Sequence, residues 1–223
     1  MTHLPLVAEL LLLLHDRRGR RVTTRTRARR GLVPTAVADL ALLGVAEVED
    51  GPEPRVRRIA DTRPGEYAPL LAMHGALRDE PRPITHLGDR AVPVEEATRA
   101  LLTRAGITRA DRLTTAMRGR LPIENTPRVE ELRRRIDNAV RSGRPDVRDA
   151  VLLGILHALD VVPVALVATT RDLGEREVCW RIAGMIDHPD LPAAETAIVQ
   201  AVARATVLLG SGHTARWLLG GLE

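Results

Sequence analysis

The sequence predicts a mainly α-helical protein, a single globular multi-helix domain over residues 1–223 that surrounds a buried central helix and carries one or two small β-hairpins. The central helix is predicted over residues 149–167, where only His157 and Asp160 interrupt an apolar surface, so neighbours must cover it on every side. Apolar residues at helical spacing recur along the rest of the chain, and Gly and Pro separate these segments. Segments with alternating polarity are short, which limits β-structure to hairpins.

A membrane span is the rival interpretation of residues 149–167. Asp160 and Pro163 divide this stretch and leave an apolar run of about ten residues, where a bilayer span needs about 20. We therefore interpret the stretch as the core helix of a folded domain.

The elements before the central helix follow from apolar spacing and from turn residues. Helices are predicted over residues 4–15, 32–43, 67–78, 93–105 and 127–141. Pro34 is placed in the first turn of the second helix and Gly44 at its end, and Thr126 caps the helix that begins at Pro127. Residues 45–48 and 55–59 alternate around a turn and predict a hairpin, whereas residues 80–84 are predicted to be a linker. Two further helices are predicted over residues 171–186 and 192–209.

Composition excludes several kinds of active site. The chain has no lysine, so all 33 basic residues are arginine, which rules out a Walker A loop and a Schiff-base lysine. The seven histidines are scattered and show no metal-binding spacing, and one cysteine, Cys179, allows no intramolecular disulfide and fits a cytoplasmic location. We expect no metal site, no cofactor and no catalytic activity.

The segment from Arg17 to Arg30 is the most polarised part of the chain, with eight arginines and no acidic residue. Such a run is often a solvated face, but its self-repulsion favours an anionic partner. Planar guanidinium groups suit two-pronged contact with phosphate. The residues proposed for phosphate binding are Arg25, Arg27, Arg29 and Arg30.

A second basic feature is a predicted hairpin in which residues 113–117 and 121–123 flank an Arg-Gly-Arg turn. An isolated two-stranded hairpin is marginally stable in water, so we expect a membrane or a second copy of the chain to cover it. The residues proposed for this contact are Met117, Arg118, Arg120 and Leu121. In the second case the chain would form a homo-oligomer.

Three partner classes would use this charge. A winged-helix-like nucleic-acid-binding protein would present helix 93–105 and the basic hairpin. However, that helix begins with Val94, Glu95 and Glu96, and few aromatic residues are present to stack on bases. An anionic membrane surface is favoured instead, because each arginine near acidic lipid contributes roughly 1 kcal/mol. An acidic protein partner is the third alternative.

Several motifs, taken in order, resemble those of the Golgi phosphoprotein 3 family and its bacterial relatives. They are LxLVAELLLLLHDRRGR from Leu4, DLALLGVAEV from Asp39, DTRPGEYAPLL from Asp61, ALLTRAGI from Ala100 and LLGILHALDV from Leu152. No motif is specific alone, but their order and spacing are, and the similarity spans roughly residues 4–191. The resemblance implies a mostly helical fold with a buried central helix and a protruding hairpin.

The resemblance also implies a function. Eukaryotic members are peripheral membrane proteins that bind phosphatidylinositol 4-phosphate and capture the cytoplasmic tails of glycosyltransferases. It therefore implies a non-enzymatic protein at the cytoplasmic face of a membrane, bound to anionic lipid with a phosphoinositide-like headgroup.

The family's phosphate pocket is not matched in this chain. It consists of a tryptophan and an arginine just before the second helix, and of two arginines on the helix before the hairpin. These positions fall near Thr24, Val33, Val92 and Glu95. Either the nearby arginines of residues 25–30 replace the pocket, or headgroup specificity is absent.

Overall fold

A computed structural model describes residues 4–61, 67–110, 120–186 and 191–210. The helices of this part are α1 Leu6–Leu13, α2 Arg25–Leu42, α3 Ala68–His74, a 3-10 helix Ile84–Arg90, α4 Ala91–Arg104, α5 Thr126–Ser142, α6 Val147–Ala158, α7 Val162–Ala165, α8 Val167–Leu173, α9 Glu175–Ile186 and α10 Ala193–Gly210. The strands are β1 Ala46–Glu49, β2 Arg55–Arg58 and β3 Arg82–Pro83. The predicted mainly α-helical class is confirmed.

Helix α1 lies inside the core, and each of its residues is buried. Pro5, at its N-terminal cap, provides no side-chain hydrogen bond to the helix. The cap comes instead from α2, where the two carboxylate oxygens of Asp39 accept the backbone N–H groups of Leu6 at 2.9 Å and Val7 at 3.1 Å. Because these donors have no partner within the helix, the side chain of Asp39 fixes α1 against α2.

Helix α2 begins seven residues earlier than predicted, at Arg25 rather than at residue 32. The hydroxyl of Thr24 accepts the N–H of Arg27 at 3.2 Å and caps the helix there. Pro34 therefore lies inside the helix and not in its first turn, which corrects the prediction. The helix is buried from Gly31 to Leu40. A Cβ on Gly31 would approach Leu159 Cδ1 to 2.9 Å and Ile155 Cγ2 to 3.0 Å, so glycine permits close packing on the C-terminal end of α6.

The predicted central helix over residues 149–167 is only partly correct. Residues 150–156 are buried in α6, as predicted, but the helix ends at Ala158. Asp160 adopts a φ of 54°, in the left-handed region, and breaks the helix. Pro163 then lies at the start of α7, so two short helices replace the predicted continuation.

The C-terminal part packs on the same core. The helix predicted over residues 171–186 is interrupted by Gly174, whose φ of 86° separates α8 from α9. Helix α10 packs on α6 and α2 and buries Val199, Val202 and Val207. By length and composition alone α10 also meets the requirements of a bilayer span, and it is the one helix of the described residues that does so.

The first hairpin is confirmed as β1 and β2, with Val48 opposite Val56. Residues 80–84 are not only a linker, because Arg82 and Pro83 form β3 and pair with the other side of β2. Proline is tolerated on such an edge strand, where its missing N–H breaks no ladder. Val56 is fully buried and joins the small sheet to the helical core.

Candidate functional site

Glu95, on α4, is the centre of the candidate site. Only 2% of this residue is exposed, and four arginines approach its carboxylate. The distances to its oxygens are 2.7 Å from Arg29 Nε, 3.0 Å from Arg21 Nη2, 3.3 Å from Arg99 Nη2 and 3.7 Å from Arg25 Nε. We call these four arginines and Glu95 the arginine cluster.

Local structure explains this assembly. Arg25 and Arg29 are separated by four residues at the start of α2, so they project from one face of the helix. Glu95 and Arg99 have the same separation on α4. Arg21 reaches the carboxylate from the segment before α2, and its side chain is only 8% exposed. The cluster thus joins α2, α4 and the chain between α1 and α2.

The cluster has a net positive charge. Burial raises the pKa of Glu95, but the hydrogen bond from Arg29 and the charges of Arg99 and Arg21 outweigh it and hold the pKa below its ordinary value. Glu95 is therefore ionised at neutral pH. Burial lowers the pKa of Arg21, yet an arginine remains charged throughout the physiological range. One negative charge faces four positive ones.

The four arginines predicted to bind phosphate do not form one pocket. Arg25 and Arg29 face Glu95, whereas Arg27 lies 3.8 Å from the exposed carboxylate of Asp160. Arg30 donates to the carbonyl of Gly210 at 3.0 Å, at the end of α10. The structure thus divides the predicted group among three neighbours, because a helix that begins at Arg25 points its side chains in different directions.

The exposed arginines around the start of α2 are defined here as the basic patch: Arg20, Arg25, Arg27 and Arg120. The side chains of Arg25 and Arg27 are 58% and 45% exposed. Arg20 and Arg120 are exposed and pair through their backbones in an isolated antiparallel bridge. The carbonyl of Arg120 also accepts a hydrogen bond from Arg99 Nη1 at 3.3 Å, which places Arg120 beside the arginine cluster.

The predicted contact hairpin is only partly within the described residues, since Met117 and Arg118 fall outside them. Leu121 is 2% exposed and packs in the core, and its N–H donates to the carbonyl of Gly19 at 2.8 Å. A buried Leu121 contacts neither lipid nor a second chain in this conformation, so it is removed from the predicted contact group. Arg120 remains in it.

The positions of the family phosphate pocket have different surroundings. Val33 is fully buried and cannot contact a headgroup, whereas Val92 is 37% exposed. Thr24 is the cap of α2. Glu95 differs most from the family pocket. At a position where the family has a phosphate-binding arginine, this chain has a carboxylate that already binds the neighbouring arginines.

A second group of charges, with two buried carboxylates and two half-buried arginines, is structural. Arg135 Nη2 lies 2.9 Å from Glu9, and its Nε lies 2.8 Å from Asp149. Arg148 Nη2 lies 3.4 Å from the same oxygen of Glu9. These pairs join α1, α5 and α6. Within the described ranges, no group of three His, Cys, Asp or Glu residues has an arrangement that could hold a metal ion.

Of two comparisons with known proteins, one places this chain. A search of curated proteins found no match. The family model described as Golgi phosphoprotein 3 matches residues 6–207, which includes every described helix except the last residues of α10. The match covers most of the sequence, and the chain therefore belongs to the Golgi phosphoprotein 3 family.

Proposed function

We propose that this protein is a non-enzymatic peripheral membrane protein that binds anionic lipid through the basic patch. The observation that carries the proposal is the charge imbalance at the start of α2, where four arginines face the single carboxylate of Glu95. Uncompensated positive charge destabilises a fold by self-repulsion, and an anionic partner relieves it. Membership in the Golgi phosphoprotein 3 family favours a lipid surface as that partner.

The basic patch has the chemistry that such a surface requires. Arg25 and Arg27 are largely exposed on the first turn of α2, and Arg20 and Arg120 make no ion pair with any residue in the described part of the chain. Each arginine near acidic lipid contributes roughly 1 kcal/mol. Four such residues are enough for reversible association with the cytoplasmic face of a membrane.

We further propose that headgroup selectivity is weak. Glu95 occupies one pocket position and draws Arg29 and Arg21 inward, so these guanidinium groups already have an anionic partner. Val33, at another pocket position, is buried. Recognition by the remaining exposed arginines depends on phosphate charge rather than on the shape of one headgroup.

The test is co-sedimentation with vesicles of neutral phosphatidylcholine to which phosphatidylserine or phosphatidylinositol 4-phosphate is added at equal total charge. We expect binding to both anionic vesicles, with affinities within about threefold, and a loss of binding as salt rises, because surface charges are screened over about 10 Å at 0.1 M salt. Equal binding to neutral vesicles would overturn the proposal.

Duplex DNA serves as the second arm of this experiment. The winged-helix alternative predicts that DNA binds more tightly than anionic vesicles at the same salt concentration. Membrane association predicts the reverse order. A protein that prefers DNA would replace the lipid proposal with the nucleic-acid alternative.

A further inference from the structure

A cavity of about 630 Å³ opens between α5, the turn after α1 and the α7–α8 segment. Its volume falls within the usual range for small-molecule sites, roughly 300–1,000 Å³. The cavity is separate from the arginine cluster and shares no residue with the basic patch. The arginines that line it are Arg17, Arg18, Arg133, Arg134 and Arg171.

The carboxylates at this cavity already have partners. Asp16 Oδ1 accepts the backbone N–H groups of Arg18 and Arg20, both at 2.8 Å. Asp137 accepts the hydroxyl hydrogen of Thr169, and Glu130 lies 2.9 Å from Arg17 Nη2. These acids keep their charge and act on Arg133, but the lining has five arginines against three carboxylates and therefore a net charge of +2.

Arg133 is held in place at the inner side of the cavity. Its Nη1 donates to the carbonyl of Ala165 at 3.3 Å, and its Nη2 donates to the carbonyl of His15. Its buried Nε has no hydrogen-bond acceptor among the described residues. Arg133 thus adds a fixed positive charge to the cavity and makes no ion pair with a carboxylate among the described residues.

Two arginines remain available for a ligand. Arg18 and Arg134 are exposed, and neither side chain makes an ion pair or hydrogen bond within the part of the chain that the structure describes. Arg171 also lines the cavity, and its only close carboxylate in this part is Asp172, at 3.6 Å. Guanidinium groups of this kind bind phosphate through two parallel hydrogen bonds.

The α7–α8 segment also adds apolar side chains to the lining. Val164 and Val167 line it and are 48% and 61% exposed, which places both among the most exposed large apolar residues of the described part. They flank the break between α7 and α8 at Leu166, where the backbone leaves the helical region. The cavity therefore offers apolar surface directly beside unpaired positive charge.

We propose that this cavity binds a phosphate group attached to an apolar chain. Arg18 and Arg134 contact the phosphate, and Arg133 contributes a fixed positive charge. Val164 and Val167 cover the apolar chain of the ligand. The inference does not rest on the proposed function of the basic patch. A membrane lipid and a soluble phosphorylated amphiphile share this chemistry, and the experiment separates them.

The probe is octyl phosphate below its micelle-forming concentration, measured by titration calorimetry with inorganic phosphate and neutral octyl glucoside as comparisons. We expect octyl phosphate to bind more tightly than either comparison. The double variant R18Q/R134Q should weaken its binding at least tenfold, and V164T/V167T about threefold. The matched control R55Q/R144Q changes two exposed arginines elsewhere and should leave the Kd within twofold.

The substituted side chains are exposed, and melting temperatures check that each variant folds. If R18Q/R134Q is unstable, the single variants R18Q and R134Q replace it, each expected to weaken binding at least threefold. An unchanged Kd in these variants would overturn the proposal. Equal binding of inorganic phosphate and octyl phosphate would also overturn it, since the valines would then have no role. R25Q/R27Q should bind octyl phosphate normally, which keeps this result independent of the basic patch.

Vesicles containing phosphatidic acid identify the source of the phosphate. If R18Q/R134Q loses octyl phosphate binding and also binds these vesicles more weakly than R55Q/R144Q does, the ligand is a bilayer lipid. If it loses only octyl phosphate, the ligand is a soluble amphiphile. Both outcomes support the cavity as a site.

Discussion

Arg29 donates its Nε hydrogen to Oε2 of Glu95 across 2.7 Å, and this bond joins the start of α2 to α4. The two residues are 66 positions apart in the chain. The carboxylate of Glu95 thus stabilises the start of α2, where the positive charges of the arginines would otherwise repel one another. It also decides which arginines remain available to a partner.

The first prediction concerns Glu95→Gln. Removal of one partner from a buried ion pair costs about 3–5 kcal/mol, because the remaining charges lose their compensation. For a chain of this size that corresponds to a melting temperature lower by roughly 10 °C. Glu96→Gln, at the exposed neighbouring position, is the control and should melt within about 2 °C of the wild type.

Inorganic phosphate tests the same variant in a second way. In Glu95→Gln the arginine cluster has lost its carboxylate and can bind phosphate instead. Added phosphate should therefore raise the melting temperature of this variant more than that of the wild type. An equal gain in both proteins would show that Glu95 does not compete with anions for the arginine cluster.

The second prediction separates Arg29 from Arg25. The Arg29 side chain is 25% exposed and 2.7 Å from Glu95, whereas that of Arg25 is 58% exposed and 3.7 Å away. Urea denaturation should show a loss of about 2 kcal/mol for Arg29→Gln, as for a charged hydrogen bond, and less than about 1 kcal/mol for Arg25→Gln. Equal losses would contradict this division into structural and exposed arginines.

The third prediction uses two glycines with the same backbone conformation. Gly19 and Gly44 both have a φ of 70°, but a Cβ on Gly19 would lie 2.0 Å from the carbonyl oxygen of Leu121, while one on Gly44 meets nothing within 4 Å. Both alanine variants carry the backbone strain, roughly 1–2 kcal/mol. Only Gly19→Ala must also move the segment at Leu121, so its melting temperature should be clearly lower. Identical melting temperatures would mean that the two backbones are not in close contact.

The fourth prediction concerns Asp39 and pH. Burial raises the pKa of Asp39 to about 7, although the N–H groups of Leu6 and Val7 and the charge of Arg148 act in the opposite direction. The folded protein then binds a proton that the unfolded chain, with a pKa near 3.8, has already released. The free energy of unfolding contributed by this group is therefore present at low pH and is lost as pH rises through about 7.

Two other groups titrate nearby, so a variant is needed. Burial raises the pKa of Asp149 to about 6 and acts in the same direction as Asp39, while burial lowers the pKa of His15 to about 4 and stabilises the fold as pH rises from 4 to 6.5. The stability difference between wild type and Asp39→Asn cancels both. The free energy of unfolding of the wild type, minus that of Asp39→Asn, should decrease between about pH 4 and 7 and stay constant above pH 8. A difference independent of pH would show that Asp39 is ionised throughout.

The sequence predicted the elements whose signals are local. The apolar run of residues 4–15 predicted α1, and the turn between Val48 and Val56 predicted the first hairpin. It did not predict that α2 begins at Arg25, because Pro34 was placed in the first turn and the carboxylate that compensates the preceding arginines, Glu95, is distant in the chain. The strand at Arg82 was missed for a similar reason, since only pairing with β2 creates it.

The candidate site was partly readable. The arginine-rich segment and the mismatch at Glu95 were both visible in the sequence, and the four-residue spacings of Arg25 with Arg29 and of Glu95 with Arg99 place each pair on one helix face. That the two faces meet was not visible, because it depends on the packing of α2 against α4. Apart from the charge of Arg21, nothing in the sequence indicated that it pairs with Glu95.

The most direct measurement compares two variants with the same net charge in their affinity for vesicles containing phosphatidylserine. R20Q/R25Q/R27Q removes three exposed arginines of the basic patch, and R55Q/R104Q/R144Q removes three exposed arginines elsewhere on the surface. At roughly 1 kcal/mol for each arginine near acidic lipid, the first variant should bind about 100-fold more weakly than the wild type. The second should bind within about threefold of it. Equal weakening in both variants would show that net charge alone drives association, and would contradict a membrane-binding surface at the start of α2.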